Sequence, residues 1–583
     1  MRSLYKYLLP YKKECLLSPL FKLIEAAFEL AVPLVVASLI DGGISRGNST
    51  HIIKMGLLLI LFGGAGLVFA LTAQYYAAKA ATGFSAVLRS ALFKTIQEME
   101  PADLDRVGAD TLITRITSDI SQIQNGVNMF LRLLLRSPFI VAGAVIMAFT
   151  VDTGSALVFA LLIPCLAAAV YLIMKFSRRG YRRIQEKLDR ITGKTRENLT
   201  GVRVIRAFCM EEREKDEFLE MDRDYALEQE RVGRISALMN PLTLVFVDLF
   251  TAALIYTGAV RVDAGLLTQG EFVALLNYMA QILIELLKLA NLIILISRAA
   301  ACGERVGELL NEGEEKKKGV LIPFPEEKAG EPFIAFDNVS LSYEGSGGKA
   351  IENVSFRVDK GAVIGITGGT GSGKSSLVNL ISGFYPVTEG EIRINGRDIK
   401  EIDPGDLRDK VSTVFQKNIL FSGSLADNLR WGDPDASDTE LWEALRVSQA
   451  EEFVRKKEGG LSFRVEQGGK NLSGGQKQRL CIARALVSKP EVLILDDSAS
   501  ALDFATDLML RTALREMENP PTLFIVSQRA ASIMHSDLII VLDDGRVSGM
   551  GSHSELLESS TVYQEIYYSQ FPKEEHKGEQ AAD

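Results

Sequence analysis

The sequence predicts a multi-domain chain. An all-α six-helix transmembrane domain is expected over residues 1–310, a linker at 311–330, an α/β domain built on a phosphate loop over 331–572, and a charged tail at 573–583. Three observations predict this order. Six mostly apolar stretches, each near the roughly 20 residues a helix needs to cross a bilayer, crowd the first half. After Leu310 the composition turns abruptly to "NEGEEKKKGVLIPFPEEKAGEP", and beyond it a β-rich run feeds the glycine-rich "GGTGSGKSSL". At 583 residues, 47% hydrophobic, with a mean hydropathy of +0.13, the chain is too long for one ordinary domain and too apolar for a purely soluble one.

The N-terminal "MRSLYKYLLPYKKE" carries basic and aromatic residues but no short apolar core followed by a small-residue cleavage site. It reads as an amphipathic segment on the cytoplasmic membrane surface, with an ordinary solvated helix as the alternative. The six stretches lie near 16–40, 55–78, 128–150, 155–176, 237–260 and 270–298. Between them, 41–54, 151–154 and 261–269 are short, whereas 79–127 and 177–236 are long, polar and rich in Lys and Arg. The excess of positive charge puts the long loops and both termini in the cytoplasm. Both long loops have a helical pattern and little glycine or proline, so the membrane helices are expected to continue into the cytosol as two hairpins.

Ionisable residues fall inside the stretches: Lys22, Glu25 and Glu29 in the first, Arg132 and Arg136 in the third, Asp248 in the fifth, Glu285 and Lys288 in the sixth. Charge at membrane depth is costly and faces a bundle interior or a water-filled cavity. Two readings stand side by side, a polar cavity meeting cationic or polar substrates and structural pairing between helices. Glu29, Asp248 and Glu285, deepest in their stretches, are the candidates for the cavity. A formal net charge of -9 and a pI near 5.4 argue against a nucleic-acid partner. Cys15, Cys165, Cys209, Cys302 and Cys481 are scattered and form no Cys-x-x-Cys pair, so neither a disulfide framework nor a zinc site is encoded.

In the soluble half, "GAVIGITGGTGSGKSSL" places a strand before Gly368, Gly369, Thr370, Gly371, Ser372, Gly373, Lys374, Ser375 and Ser376, and a helical pattern follows. This is the G-x-x-x-x-G-K-[ST] phosphate loop of an α/β nucleotide-binding domain. Its glycines let backbone N–H groups converge on phosphate oxygens, Lys374 reaches the β- and γ-phosphates, and Ser375 can ligate Mg²⁺. The partner strand "VLILD", Val492 to Asp496, ends in a carboxylate suited to the same ion, so ATP and Mg²⁺ are the expected ligands.

Between them stands "NLSGGQKQR", whose Leu472, Ser473, Gly474, Gly475 and Gln476 resemble the signature of ATP-binding-cassette (ABC) proteins. The chain as a whole, to about Gln570, is similar to a half-transporter of the exporter type. The resemblance implies further roles: Tyr343 in "VSLSY" as the aromatic that stacks on adenine, Gln416 in "VFQKN" as the glutamine that contacts Mg²⁺, and Asp503 in "SALD" as the aspartate communicating across a dimer. "DTLITRITSDISQI" and "ENLTGVRVIRAF" resemble the hairpin tips that carry nucleotide state to the membrane helices.

Two positions depart from the family. Its working members carry glutamate after the magnesium aspartate and histidine in the switch loop near the γ-phosphate; here these are Asp497 and, in "FIVSQRAAS", Gln528. An Asp carboxylate stops one methylene short, and glutamine cannot carry an imidazolium charge. His535 and His553 lie beyond the loop and do not replace it. With a weakened phosphate side but an intact signature, the chain most resembles the degenerate-site subunits of heterodimeric bacterial multidrug exporters. A second half-transporter, membrane lipid and an amphipathic, lipid or peptide substrate are the implied partners. A homodimer with Asp497 as a slow base, and an ATP-gated channel or regulatory subunit, are the rival readings. The stretch before the first helix has no room for a peptidase domain, an expectation against an exporter that cleaves peptides.

Overall fold

The computed structural model describes residues 4–315, 322–328, 330–343, 347–498 and 502–571. The expected tail at 573–583 and residues 316–321 and 329 of the expected linker lie outside them. The chain divides into two compact units, Met1–Glu98 with Asp110–Glu315, and Met99–Ala109 with Lys316–Asp583. Two features of this division differ from the sequence reading. The helix Gln269–Glu315 runs five residues into the segment read as linker from 311, because 311–315 contains neither proline nor an interior helix breaker beyond one glycine. The segment Met99–Ala109, just ahead of "DTLITRITSDISQI", groups with the second unit.

The first unit is all helix. Its long elements are Lys12–Ser38, Ser49–Glu98, Thr153–Thr200, Glu211–Ala237, Met239–Asp263 and Gln269–Glu315, with Ile120–Leu133 and Arg136–Val151 forming a broken pair. At 1.5 Å per residue, the 50-residue helix Ser49–Glu98 is far longer than a bilayer core, and it carries the apolar stretch at 55–78 on into the polar loop. Asp152 starts Thr153–Thr200 by accepting from the Ser155 N–H at 2.7 Å, so a four-residue connection suffices between neighbouring apolar stretches. Among the described residues, four helical stretches are long and apolar enough to cross a membrane: Tyr5–Ile44, Ser49–Glu98, Ala109–Val151 and Leu244–Asp263. The stretches expected at 155–176 and 270–298 lie within Thr153–Thr200 and Gln269–Glu315 and include side chains outside the described set.

Most of the candidate charges in this unit are paired. The Arg136 guanidinium donates to Glu285 Oε1 and to Glu29 Oε2, each at 2.6 Å. Glu285 also accepts from Ser137 Oγ at 2.7 Å and Lys288 Nζ at 2.8 Å, and Lys22 pairs with Glu25 at 2.5 Å. Three helices, Lys12–Ser38, Arg136–Val151 and Gln269–Glu315, are thereby joined. The structure thus supports pairing for Glu285, whose side chain is 3% exposed, and for Glu29; it leaves Asp248 exposed on Met239–Asp263. Small residues make the close approach possible: Ala26, Ala144, Ala148 and Ala274 are fully buried in the same core as Ile140 and Tyr278, and Tyr278 Oη donates to Leu30 O at 2.8 Å.

The second unit holds a six-stranded sheet in the order Arg546–Gly551, Leu538–Asp543, Val363–Gly368, Thr522–Val526, Val492–Asp496, Val411–Val414. All neighbours are parallel except the first pair. Strands buried on both faces read as unbroken apolar runs, and "VLILD" and "TLFIV" are buried at every position. A four-stranded antiparallel sheet adds Ile334–Leu341 between Ile351–Val358 and Glu389–Ile394, with Arg397–Asp398 at the edge. Phe336 and Phe356 stack at 4.3 Å in the core beneath it.

Breaking the membrane-side cluster from its centre is therefore expected to be costly. Arg136→Met leaves Glu285 buried without its guanidinium, a loss of about 3–5 kcal/mol for a severed buried pair. Thermal melting of the detergent-solubilised chain should fall clearly for Arg136→Met, and Arg136→Met with Glu285→Gln should recover part of it.

Candidate nucleotide site

The phosphate loop leaves the carboxyl end of the central strand Val363–Gly368, where helix Lys374–Ile381 begins. Gly373 caps that helix with φ 94°, and a Cβ there would lie 2.6 Å from Ala350 O, so only glycine fits. Around Gly369 and Gly371 the space is open instead, a cradle that side chains would fill. Lys374 Nζ folds over the loop and donates to Gly368 O at 3.1 Å, Gly369 O at 2.6 Å and Ser372 Oγ at 3.3 Å.

Parallel register brings the remaining groups alongside. Asp496 pairs with Val526 across the sheet, and the Asp497 N–H donates to Val526 O at 3.0 Å, which puts Asp496 and Asp497 beside the segment leading to Gln528. Ser375 Oγ donates to Asp496 Oδ1 at 3.1 Å, and Gln416 Nε2 donates to Asp497 Oδ2 at 3.1 Å. Asp497 has φ 49°, a left-handed backbone that aspartate adopts more readily than most residues. Ser375–Asp496 and Gln416–Asp497 are thus a contact chain of two hydrogen-bonded pairs on neighbouring residues, with Lys374 next to Ser375 in sequence. Gln528 is exposed at its edge.

These groups fit a magnesium nucleotide. Burial pushes the Lys374 pKa below the usual lysine value, with Asp496 and Asp497 pulling the other way. Burial, with the Asp497 charge, raises the Asp496 carboxyl above the ordinary range, against the Ser375 hydrogen bond and Lys374. Each charge is therefore held in a setting less favourable than water, a penalty that phosphate on one side and a cation on the other would relieve. No cluster of three or more His, Cys, Asp or Glu suited to a metal occurs among the described residues. Two or three protein oxygens with phosphate completing the shell is the pattern Mg²⁺ uses.

The other expected positions occupy separate places. Tyr343 Oη donates to Ser376 Oγ at 2.9 Å, and its ring meets Tyr385 edge-on at 5.0 Å, beside the phosphate-loop helix. Tyr385 in turn donates to Asp105 in Met99–Ala109, a contact that the sequence did not foretell. Ser473 caps the helix Gly474–Val487: the Gln476 N–H donates to Ser473 Oγ, and the Ser473 N–H donates back to Gln476 Oε1. Nothing among the described contacts joins Ser473, Gly474, Gly475 or Gln476 to the phosphate loop of the same chain. Asp503 caps Phe504–Arg515, and hydrogen bonds from Thr506 hold its carboxyl below the usual range. His553 Nδ1 meets Tyr563 Oη at 2.8 Å and His535 is exposed, so neither imidazole enters the contact chain. Sequence reading also missed Gln570, whose carboxamide accepts from the Ala530 N–H at 2.9 Å and donates to Gln528 O at 2.8 Å.

Residues 15–286 match the ABC transporter transmembrane region, and residues 351–500 match the ABC transporter domain. An uncharacterized ABC transporter ATP-binding protein of Mycobacterium tuberculosis is 34% identical over 570 residues, 97% of each chain. The uncharacterized ABC transporter ATP-binding protein YfiB of Bacillus subtilis is 32% identical, covering 98% of this chain and 99% of its own. Among solved structures, a bacterial Atm1-family ABC exporter with ATP bound superposes with a TM-score of 0.80 at 22% identity, over 98% of this chain and 99% of that one.

The raised Asp496 carboxyl has a signed consequence. Its contribution to the stability of the nucleotide-free protein is largest below the ordinary carboxylate range and is lost as pH rises through the raised value. Asp496→Asn should therefore raise the nucleotide-free melting temperature at pH 7 by about 2 °C, with the gap closing toward pH 4, while the stabilisation added by Mg-ATP falls. Melting curves with and without Mg-ATP at both pH values check it.

Proposed function

Because the chain belongs to the ABC transporter family, a membrane protein with a cytoplasmic, ATP-hydrolysing cassette, we propose that it is one half of a heterodimeric exporter whose own site retains ATP. In this reading six helices cross the membrane, the cassette spans 331–572, and a second half-transporter supplies the hydrolytic phosphate side. The substrate is a small amphipathic molecule, lipid or peptide.

One observation carries the proposal: Asp497, at the position of the water-polarising base, is engaged with Gln416, and the switch position beside it is Gln528. A carboxylate one methylene short is displaced by about 1 Å, enough to cost on the order of a hundredfold in rate. Glutamine at 528 can hydrogen-bond a phosphate oxygen but cannot supply positive charge. Binding is spared, because the loop glycines, Lys374 and Tyr343 are in place. Ser375 and Asp496, with Gln416 beside them, would hold Mg²⁺, which when bound offsets the phosphate charge.

The signature works on the other nucleotide. Ser473 and Gly475 stand at the start of a 14-residue helix, where N–H groups and the helix dipole favour an anion, and they serve a phosphate bound by the partner. Closure of the pair on ATP is driven by its greater affinity for the closed state, and turnover at the partner's phosphate loop resets it. A homodimer in which Asp497 is a slow base is the second reading, since an aspartate still offers a carboxylate at that position.

Steady-state ATPase of the reconstituted pair at saturating Mg-ATP separates them. Ser473→Arg or Gly475→Asp is expected to remove at least nine-tenths of the activity, and Asp497→Ala less than half. Equal, severe losses would mean that both sites turn over. Asp497→Glu with Gln528→His is expected to raise ATPase by adding turnover at this chain's own site, up to the limit set by the partner's signature.

A further inference from the structure

We propose that Gln570 is a positioning residue for the switch loop, so that the C-terminal helix sets how firmly this site holds the γ-phosphate. The inference rests on the reading of Gln528 as the residue on the γ-phosphate side.

The geometry is that of a clamp. Gln570 Oε1 accepts from the Ala530 N–H at 2.9 Å, and Gln570 Nε2 donates to Gln528 O at 2.8 Å. The orientation of the carboxamide is dictated by its partners, since an N–H can only donate and a carbonyl can only accept. One side chain thus treats the loop as a neighbouring peptide would, bracketing Gln528 and Arg529 between two bonds. On another side Arg529 Nη1 donates to Leu502 O at 3.1 Å, next to Asp503, and the Ser527 N–H donates to Ile366 O at 3.0 Å in the central strand. Gln528 is exposed, and within the loop the Arg529 N–H also donates to Ser527 Oγ at 3.0 Å, so the backbone on both sides of the Gln528 side chain is held by hydrogen bonds.

The clamp is anchored. Gln570 ends the helix Thr561–Gln570, whose Tyr563 is fully buried and hydrogen-bonded to His553 at 2.8 Å. Gln564 Nε2 donates to Leu557 O at 2.7 Å, and Phe571 stacks on Tyr567 at 5.0 Å. A helix held at this many points transmits its position to the loop rather than following it.

The test is nucleotide release from the full-length chain in lipid nanodiscs, with labelled Mg-ATP or Mg-ADP chased by unlabelled nucleotide. Gln528→Ala removes one hydrogen bond to a charged oxygen and is expected to speed ATP release about tenfold, with ADP release unchanged within twofold because ADP has no γ-phosphate. Gln570→Met, similar in length but without donor or acceptor, is expected to speed ATP release about fivefold, again sparing ADP. The double variant should be no faster than Gln528→Ala alone. Gln570→Glu keeps the acceptor for Ala530 and loses the donor, so it should fall between; it also serves if Gln570→Met does not fold. Normal ATP release from the Gln570 variants beside fast release from Gln528→Ala overturns the clamp and spares the reading of Gln528. Equal acceleration of ATP and ADP, or additive effects in the double variant, overturns it as well. Unchanged ATP release from Gln528→Ala removes the reading of Gln528, and the proposal with it.

Discussion

The site depends on the parallel pairing of three buried strands. Val363–Gly368, Thr522–Val526 and Val492–Asp496 run side by side in fixed register, and their carboxyl ends deliver the phosphate loop, the switch segment and the two aspartates to one edge. A slip by one residue would turn every side chain to the other face. Complete burial on both faces makes that slip prohibitive, so the chemistry inherits its precision from hydrophobic packing some residues away. The polar contacts, Ser375 to Asp496 and Gln416 to Asp497, are each 3.1 Å long and sit on that frame rather than building it.

Those polar groups are arranged for a ligand rather than for the empty protein. Lys374 turns back onto loop carbonyls, and Asp496 keeps a carboxylate where burial disfavours its charge. A fold tuned only for stability would replace both. Their retention next to a cradle of open glycines is the physical signature of binding, and it is undiminished by what stands at 497 and 528. Recognition and turnover make different demands of such a site: the first needs the loop and its counter-charges, the second needs reach and charge beside the γ-phosphate.

Much of this was legible in the sequence. The phosphate loop, "VLILD" and "NLSGGQ" each combine a period with special residues, glycines where the backbone must turn or approach closely and a carboxylate where a strand ends, so their local structure and chemistry follow together. The capping of a helix by Ser473 and Gln476 could likewise be read from their three-residue spacing. What stayed hidden were contacts between residues far apart in the chain. Glu285 and Arg136, separated by 149 positions, looked like possible cavity-lining charges until the structure closed them on each other. Gln570 gave no signal, because a glutamine at a helix end is ordinary until its two backbone partners are seen. The helical extension to Glu315 was masked by charge-rich composition, which suits an exposed helix as well as a linker.

The Arg136 cluster has a mechanical side. One guanidinium bonded to carboxylates on two other helices ties the three together, because a slide or rotation of one alone would part Arg136 from Glu29 or from the buried Glu285. Lys12–Ser38, Arg136–Val151 and Gln269–Glu315 therefore behave as a single beam at this level.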